Sequence, residues 1–149
     1  MAVRFQLTID CADPNRLTRF WATALGYEIH GPPAGFPTWN AYYLSIGILE
    51  DELGEDDWND RLVDPGGSAP PIWFQQVPEP KTIKNRLHLD LLVGGGRTVP
   101  LLTRRERVLA EEQRLLAEGA TRVRVLFQEG VDHFAVVMQD PEGNEFCIV

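Results

Sequence analysis

One structural pattern occurs twice in this chain, and the repeat limits what the chain can fold into. Each copy has a segment of alternating apolar and polar residues, an amphipathic helix, and an Asp-Pro-x-Gly turn followed by a short strand. The turns occupy residues 64–67 and 140–143. Two copies of one supersecondary unit usually pack together, because neither buries its apolar surface alone. We therefore predict a single domain, residues 1–149, built of two modules at about 1–78 and 84–149.

The first copy shows clear local signals. Phe5, Leu7 and Ile9 alternate with polar residues, which predicts a half-buried strand. Asp13 followed by proline predicts a capped helix start. The helix has an apolar stripe and ends near a glycine; these residues are Leu17, Phe20, Trp21, Ala24 and Gly26. An aromatic-rich strand is predicted over Asn40–Ile48.

The second copy starts after a proline-rich connection at Val77–Lys81. Leu87, Leu89 and Leu91 alternate with His88 and Asp90, which predicts a strand in the same register as the first. A capping box of Thr103 and Glu106 predicts a helix that ends at about Ala117, with a buried stripe formed by Val108, Leu109, Leu115 and Leu116. Three strands complete the copy, at residues 121–127, 133–139 and 145–149.

Composition favours an ordinary soluble protein, with 44% hydrophobic and 24% charged residues. The net charge is −8, and residues 50–64 hold eight acidic side chains against Arg61 alone. This run is interpreted as a solvated loop, and no broad basic surface suits nucleic acid. No apolar run is long enough to span a membrane. Cys11 and Cys147 lack a disulfide pattern, which indicates a reducing, cytoplasmic location.

Strand alternation predicts which side chains face away from the helices. If Phe5, Leu7 and Ile9 contact the first helix, their polar neighbours face the opposite side of the sheet. By the same rule, the second copy presents a second set of polar residues. Together these residues are Gln6, Thr8 and Asp10 from the first copy, and His88, Asp90, Glu145 and Cys147 from the second. The polar side chains are thus expected to converge on a cleft.

These motifs resemble those of the vicinal oxygen chelate superfamily (glyoxalase I, extradiol dioxygenases, bleomycin-resistance proteins), and in particular bacterial glyoxalase-like domain proteins. The matching segments are Asp13-Pro14, Phe20-Trp21, Leu25-Gly26-Tyr27, Val77–Lys81, Asn85–Asp90 and Asp140–Cys147. The resemblance implies an α+β fold in which two βαβββ modules form an open β-barrel around a cleft, with the helices outside. It also implies a homodimer.

The resemblance further implies metal-ligand positions on the first and last strands of each module. These positions fall on Gln6, Gln75 or its neighbour Gln76, His88 and Cys147. An amide and a thiol replace the expected carboxylates, so the site is degenerate, and a divalent metal such as Zn, Ni or Fe is the candidate cofactor. Other interpretations stay open: His88 hydrogen-bonds Asp90, Gln6 hydrogen-bonds across the cleft, and Cys147 is a small buried side chain.

Catalytic and ligand-binding candidates come from the same faces. Asp90 or Glu145 becomes a general base if burial raises its pKa; alternatively, each forms an ion pair with an arginine, the candidates being Arg86, Arg122 and Arg124. Aromatic side chains of the first copy offer stacking surfaces for a flat or apolar ligand. The ligand-binding candidates are Trp39, Tyr43, Trp73 and Gln75, with Tyr42 and Trp58 in the same region.

These candidates indicate two classes of function, small-molecule binding and metal-dependent catalysis. The leading interpretation is a glyoxalase-like protein that binds a small organic molecule in the cleft, with no specific reaction assigned. The alternatives are a metal-dependent lyase, isomerase or dioxygenase, and an antibiotic-sequestering protein of the bleomycin-resistance type. The weak ligand set favours binding over metal chemistry.

Overall fold

The computed structural model describes residues 2–53 and 59–149, which form two compact units, Met1–Pro78 and Glu79–Val149. Trp58 and three of the acidic residues, 55–57, lie outside the described residues. Each unit contains a four-stranded sheet. No described helix has both the length and the apolar character needed to cross a membrane.

Unit 1 (Met1–Pro78) has the order strand, helix and three strands, with a further helix between the second and third strands. Its elements are β1 (Leu7–Cys11), α1 (Pro14–Leu25), β2 (Glu28–Ile29), α2 (Trp39–Ser45), a 3-10 turn (Glu50–Glu52), β3 (Arg61–Val63) and β4 (Ile72–Gln76). The strand order is β1-β4-β3-β2. The β1–β4 pair is parallel and the other pairs are antiparallel.

Unit 2 (Glu79–Val149) repeats this topology. Its elements are β5 (Asp90–Leu91), α3 (Leu101–Ala117), β6 (Thr121–Phe127), β7 (Phe134–Gln139) and β8 (Glu145–Ile148). The strand order is β5-β8-β7-β6, and β5–β8 is the parallel pair. The predicted α+β fold of two βαβββ modules is confirmed.

Helix α1 forms as its capping residues predict. The Asp13 carboxylate accepts a hydrogen bond from the Arg16 backbone N–H at 3.0 Å, and Gly26 ends the helix with a φ of 68°. Only a residue without a Cβ adopts that left-handed conformation without strain. Leu17 of the helix stripe and Phe74 of β4 are both almost fully buried, which places the core of unit 1 between α1 and the sheet.

The repeat extends to the atoms of the two Asp-Pro-x-Gly turns. The Asp64 carboxylate accepts hydrogen bonds from three later backbone N–H groups, those of Gly66, Ser68 and Ala69. The Asp140 carboxylate accepts from the backbone N–H groups of Glu142 and Asn144. Aspartate closes both turns because its short side chain reaches backbone donors a few residues ahead.

The strand predicted at Asn40–Ile48 is wrong, because the chain forms helix α2 there. The Thr38 hydroxyl caps this helix by accepting a hydrogen bond from the Ala41 backbone N–H at 3.1 Å. Helical spacing brings Trp39 and Tyr43 onto one face, where their rings stack with centroids 5.8 Å apart. A strand would also place these two rings on one face, but farther apart, and the cap selects the helix.

The first strand of each unit starts later than predicted. Phe5 is 67% exposed and Leu87 is 80% exposed, because β1 begins at Leu7 and β5 at Asp90. In unit 2 the reason is the partner strand. Leu87 would lie opposite Asn144, whose carbonyl oxygen accepts the Asp140 backbone N–H of the turn. The predicted burial of these two apolar side chains is wrong.

The predicted capping box of Thr103 and Glu106 is also wrong. Helix α3 begins at Leu101, after Pro100, and no side chain caps it. The first helical hydrogen bond runs from the Arg104 backbone N–H to the Pro100 carbonyl at 3.0 Å. The predicted end at Ala117 is confirmed, as are strands β6, β7 and β8 to within one residue.

Candidate functional site

Three side chains with metal-binding atoms meet on the sheet of unit 2. Donor atoms of His88, Asp90 and Cys147 all lie within 4.8 Å of one another. Asp90 is opposite Cys147 in the parallel ladder, and His88 precedes Asp90 by two residues, so strand alternation places them on one side. The His88 Nε2 atom is 3.3 Å from the Asp90 Oδ1 atom. The structure thus joins two predicted metal ligands with the predicted base Asp90.

The Cys147 thiol is held in its protonated form. Burial raises the pKa of this thiol, and the neighbouring Asp90 charge and its hydrogen bond with the thiol raise the pKa further. Cys147 is therefore a weak nucleophile at neutral pH, because only the thiolate attacks. Cys11, the other cysteine, is 3% exposed and its thiol donates to the Gln75 carbonyl at 3.6 Å.

The donor set of this cluster fits a divalent transition metal. An ion bound at about 2.0–2.3 Å from each ligand atom would hold the ligands roughly 3.3–3.8 Å apart. The observed donor atoms lie within 4.8 Å, so small side-chain rotations would bring them to that spacing. Imidazole, carboxylate and the thiolate that forms when a metal displaces the Cys147 proton together suit zinc better than magnesium or calcium. His88 and Asp90 are exposed, which leaves room for further ligands.

Glu145 is fixed as an anion. The Asn85 backbone N–H donates to its carboxylate at 2.9 Å, and the ammonium groups of Lys81 and Lys84 lie 3.7 and 3.8 Å away. The hydrogen bond from Asn85 and then the two lysines hold the pKa of Glu145 below its usual range, against the effect of burial. A general base needs a raised pKa, so this geometry favours a structural role.

The arginine partners predicted for the two carboxylates are wrong. Lysines pair with Glu145, and the Asp90 carboxylate lies 3.3 Å from the His88 imidazole rather than beside an arginine. Arg122 instead forms a two-pronged pair with the fully buried Glu112 of α3. This pair was not predicted, because a glutamate within a helix normally faces solvent.

The sheet of unit 1 also has a polar face. Ile72 and Phe74 of β4 are buried, whereas Trp73 is half-buried and Gln75 is exposed on the alternate side. The Gln76 amide donates to the Ala12 carbonyl at 3.1 Å, so its donor is engaged at the strand end. Gln75 therefore shares its side with Trp73, with Thr8 and Asp10 as their neighbours on β1. Gln6 is exposed and precedes β1.

An aromatic layer from α2 lies beside this face. Trp39 is 7% exposed, its indole N–H donates to the His30 carbonyl, and its ring stacks on Tyr43. Tyr42 completes the layer through edge contact with Trp39. The rings contact one another and so form a preorganised wall, in which Trp39 is mostly core and Tyr43 is more accessible.

Arg61 links the aromatic layer to the sheet, and it is not among the site residues predicted from the sequence. Its guanidinium carbon lies 4.3 Å from the Trp39 ring centre and 5.6 Å from that of Trp73. Its Nη2 atom donates to the Tyr43 hydroxyl at 2.6 Å. The side chain of Asp60 accepts from the Trp73 indole N–H at 2.9 Å. The available signal in the sequence was that Arg61 is the one basic residue within the acidic run of residues 50–64.

Comparison with known proteins identifies the class of fold and then the family. The duplicated βαβββ topology is shared with solved structures, among them an enzyme of the glyoxalase/bleomycin resistance protein/dioxygenase family. The model of the glyoxalase-like domain family matches residues 6–149, so the chain belongs to that family. A search of curated proteins gave no match.

Solved structures share the fold at low sequence identity. A glyoxalase/bleomycin resistance protein/dioxygenase family enzyme from Burkholderia phytofirmans PsJN is 17% identical, with a TM-score of 0.57 and coverage of 96% of this chain and 94% of that one. A mutant of the fosfomycin resistance protein FosX from Listeria monocytogenes, in complex with Mn(II) and 1S,2S-dihydroxypropylphosphonic acid, is 11% identical, with a TM-score of 0.58 and coverage of 99% of this chain and 89% of that one. At these identities the likeness concerns the fold alone.

Proposed function

We propose that this glyoxalase-like protein binds a small organic molecule on the polar face of unit 1. The carrying observation is the preorganised aromatic layer of α2, whose Trp39 ring is linked through the Arg61 guanidinium to Trp73, beside the exposed amide of Gln75. Small-molecule sites combine apolar and aromatic walls with a few placed polar groups, and this face has both. The buried core behind β4 keeps the wall rigid, which lowers the entropy lost on binding.

A ligand screen tests this proposal directly. Thermal-shift measurements against aromatic metabolites and antibiotics should find compounds that raise the melting temperature saturably. Trp73→Ala should abolish that shift and Gln75→Ala should weaken it. Phe127→Ala, which removes a half-exposed aromatic side chain from unit 2, is the matched control and should leave the shift intact. The proposal fails if no compound binds or if the control variant loses binding equally.

A metal-dependent lyase, isomerase or dioxygenase is the second candidate function. The specific observation in its favour is the convergence of His88, Asp90 and Cys147. A bound ion would polarise an oxygen of the substrate. His88 and Cys147 would hold the ion, and Asp90 is the exposed carboxylate placed either to complete the ligand set or to accept a proton. FosX from Listeria monocytogenes was crystallised with Mn(II), whereas a thiol in the set favours zinc here.

Metal analysis separates this candidate from metal-free binding. Protein purified without chelator should contain close to one equivalent of Zn, Ni or Fe, and His88→Ala or Cys147→Ala should remove it. His133→Ala, a histidine outside the cluster, should leave the content unchanged. A content below about a tenth of an equivalent, unaltered by added Zn²⁺, Ni²⁺ or Fe²⁺, would eliminate the metal site.

The fate of a bound ligand distinguishes an enzyme from a sequestering protein of the bleomycin-resistance type. A ligand recovered chemically unchanged after long incubation supports sequestration, and a converted ligand establishes an enzyme. Cytoplasmic location stays a prediction from the sequence, and homodimer formation stays a prediction from the resemblance. Sedimentation equilibrium should give twice the mass of one chain, and a monomer mass would contradict the dimer.

A further inference from the structure

The side chain of Arg61 is a cation that the protein positions without fully pairing. Arg61 lies opposite Trp73 in the β3–β4 ladder, on the face away from the buried Leu62. The rings of Trp39 and Trp73 lie within 4.3 and 5.6 Å of its guanidinium carbon, and the Tyr43 hydroxyl accepts one of its N–H groups. Cation–π contacts and this hydrogen bond hold the group in one place.

The hydrogen-bonding capacity of Arg61 is only partly used. A guanidinium has five N–H donors, and among the described residues only the Tyr43 hydroxyl accepts from it within normal hydrogen-bond distance. The nearest described carboxylate oxygen, on Asp60, is 3.6 Å from the Arg61 Nε atom, which is beyond a normal hydrogen bond. That carboxylate accepts instead from the Trp73 indole. About a quarter of the Arg61 side chain, 27%, stays exposed.

Arginines with a structural role in this chain look different. The Arg104 residue is 8% exposed, donates to the Val99 carbonyl at 2.9 Å and also pairs with Asp132. Arg122 donates through two nitrogen atoms to the carboxylate of Glu112. Each of these two guanidinium groups donates to a described carboxylate within hydrogen-bond distance. Arg61 alone among these three is fixed by rings that leave N–H donors available.

We infer that Arg61 is the anion-recognition group of the ligand face, so the ligand is a small organic anion with a carboxylate or phosphonate group and a flat or apolar body. This inference rests on the proposed small-molecule function. A held guanidinium binds such groups through two parallel N–H···O bonds at little entropic cost. A cationic ligand would be repelled by Arg61, which already occupies the cation–π position over Trp39.

Paired probes on the wild-type protein test the ligand class. Benzoate and phenylphosphonate should quench tryptophan fluorescence saturably, whereas benzamide, the neutral analogue of benzoate, should bind at least about tenfold more weakly. Benzamidine, a cation of similar shape, should be the weakest. If benzamide and benzamidine bind as well as benzoate, the inference is overturned while the proposed binding function stands. If none of the four probes binds, the inference is overturned, and the broader ligand screen decides the proposed binding function separately.

Variants of Arg61 test the residue itself. Arg61→Gln should weaken benzoate binding at least about tenfold and leave benzamide binding within about twofold. Arg61→Lys keeps the charge but loses the forked donors, so it should weaken benzoate binding less than Arg61→Gln does. This variant should also stay folded. Arg19→Gln, an exposed arginine on α1, is the matched control and should change neither. Equal losses for benzoate and benzamide in Arg61→Lys would show a role in structure only.

Discussion

The two units share a frame and differ in the chemistry of their polar faces. In each unit a buried phenylalanine on the last strand, Phe74 or Phe146, is followed by a residue that pairs with an aspartate across the parallel ladder. That pair is Gln75 with Asp10 in unit 1 and Cys147 with Asp90 in unit 2. The same backbone positions thus carry an amide in one unit and a thiol in the other.

This register also compares the two first strands. His88 lies two residues before Asp90, and the residue two before Asp10 is Thr8. In this alignment Thr8, rather than the predicted metal ligand Gln6, corresponds to His88. Unit 1 therefore offers Thr8, Asp10 and Gln75 where unit 2 offers an imidazole, a carboxylate and a thiol, and the donor set with the stronger metal-binding groups is in unit 2.

The connection between the second and third strands accounts for the other difference. In unit 2 this connection is the short segment 128–133, whereas in unit 1 it covers residues 30–60 and contains α2. The aromatic layer comes from this longer connection, and Arg61 follows it directly on β3. The longer connection of unit 1 therefore supplies the aromatic part of the ligand face, as is usual for loops on a rigid scaffold, whereas the metal-binding cluster of unit 2 lies on and next to β5 and β8.

The equivalence of the two cores predicts the largest effects. Phe74→Ala and Phe146→Ala should each lower the free energy of unfolding by about 3–5 kcal/mol, because each removes an almost fully buried ring and leaves a cavity. Urea denaturation followed by circular dichroism measures both values. Phe5→Ala, at a position 67% exposed, is the control and should change stability by no more than about 0.5 kcal/mol. A near-neutral result for either core variant would break the equivalence.

The sequence predicted those parts of the fold whose signals are local. The cap at Asp13, the stop at Gly26 and the two Asp-Pro-x-Gly turns each depend on contacts within a few residues, and the structure has all of them. The stripe of α1 followed from helical periodicity. The strand prediction for Asn40–Ile48 is wrong because its aromatic residues favour strands in general. Here the segment forms a helix, whose start is capped by the Thr38 hydroxyl.

Long-range contacts account for what the sequence did not predict in the candidate site. His88, Asp90 and Cys147 cluster because strand β5 pairs with strand β8. The paired residues Asp90 and Cys147 are 57 positions apart in the chain. Strand alternation predicts that these residues share the polar side, but it does not predict how close their donor atoms lie. The lysines around Glu145 and the rings around Arg61 belong to loops and to a helix that alternation cannot orient. Their contacts are visible only in three dimensions.

The two turn aspartates predict effects of intermediate size. Asp140 is 3% exposed, so Asp140→Ala should lower the free energy of unfolding by about 1–3 kcal/mol by leaving buried backbone donors without an acceptor. Asp64→Ala removes three similar bonds at a more exposed position and should cost less, because water can replace the carboxylate. Chemical denaturation at neutral pH gives both values. A larger loss for Asp64→Ala would mean that burial does not set the difference.

The Asp64 turn also predicts a dependence on pH. Backbone hydrogen bonds hold the pKa of Asp64 below its usual range, so the ionised carboxylate stabilises the folded state. This contribution is complete above the usual aspartate pKa and is lost as the pH falls through the lowered folded value. The stability difference between the wild type and Asp64→Asn should therefore shrink on acidification. A difference that stays constant down to the acid transition would contradict the assignment.

The smallest effects concern reactivity rather than stability, and they compare the two cysteines. Burial and Asp90 raise the pKa of Cys147, so iodoacetamide should modify it slowly at neutral pH and faster as the pH rises above the usual thiol range. Asp90→Asn removes the nearby negative charge and should speed the reaction at neutral pH severalfold. Cys11, at 3% exposure, should stay unmodified in the folded protein in both cases. Mass spectrometry of tryptic peptides resolves the two sites.

Rapid modification of Cys147 at neutral pH, at a rate unchanged in Asp90→Asn, would show that the Asp90 carboxylate does not control the reactivity of the thiol. The unit 2 cluster would then lose its main electrostatic difference from the Asp10–Gln75 pair of unit 1.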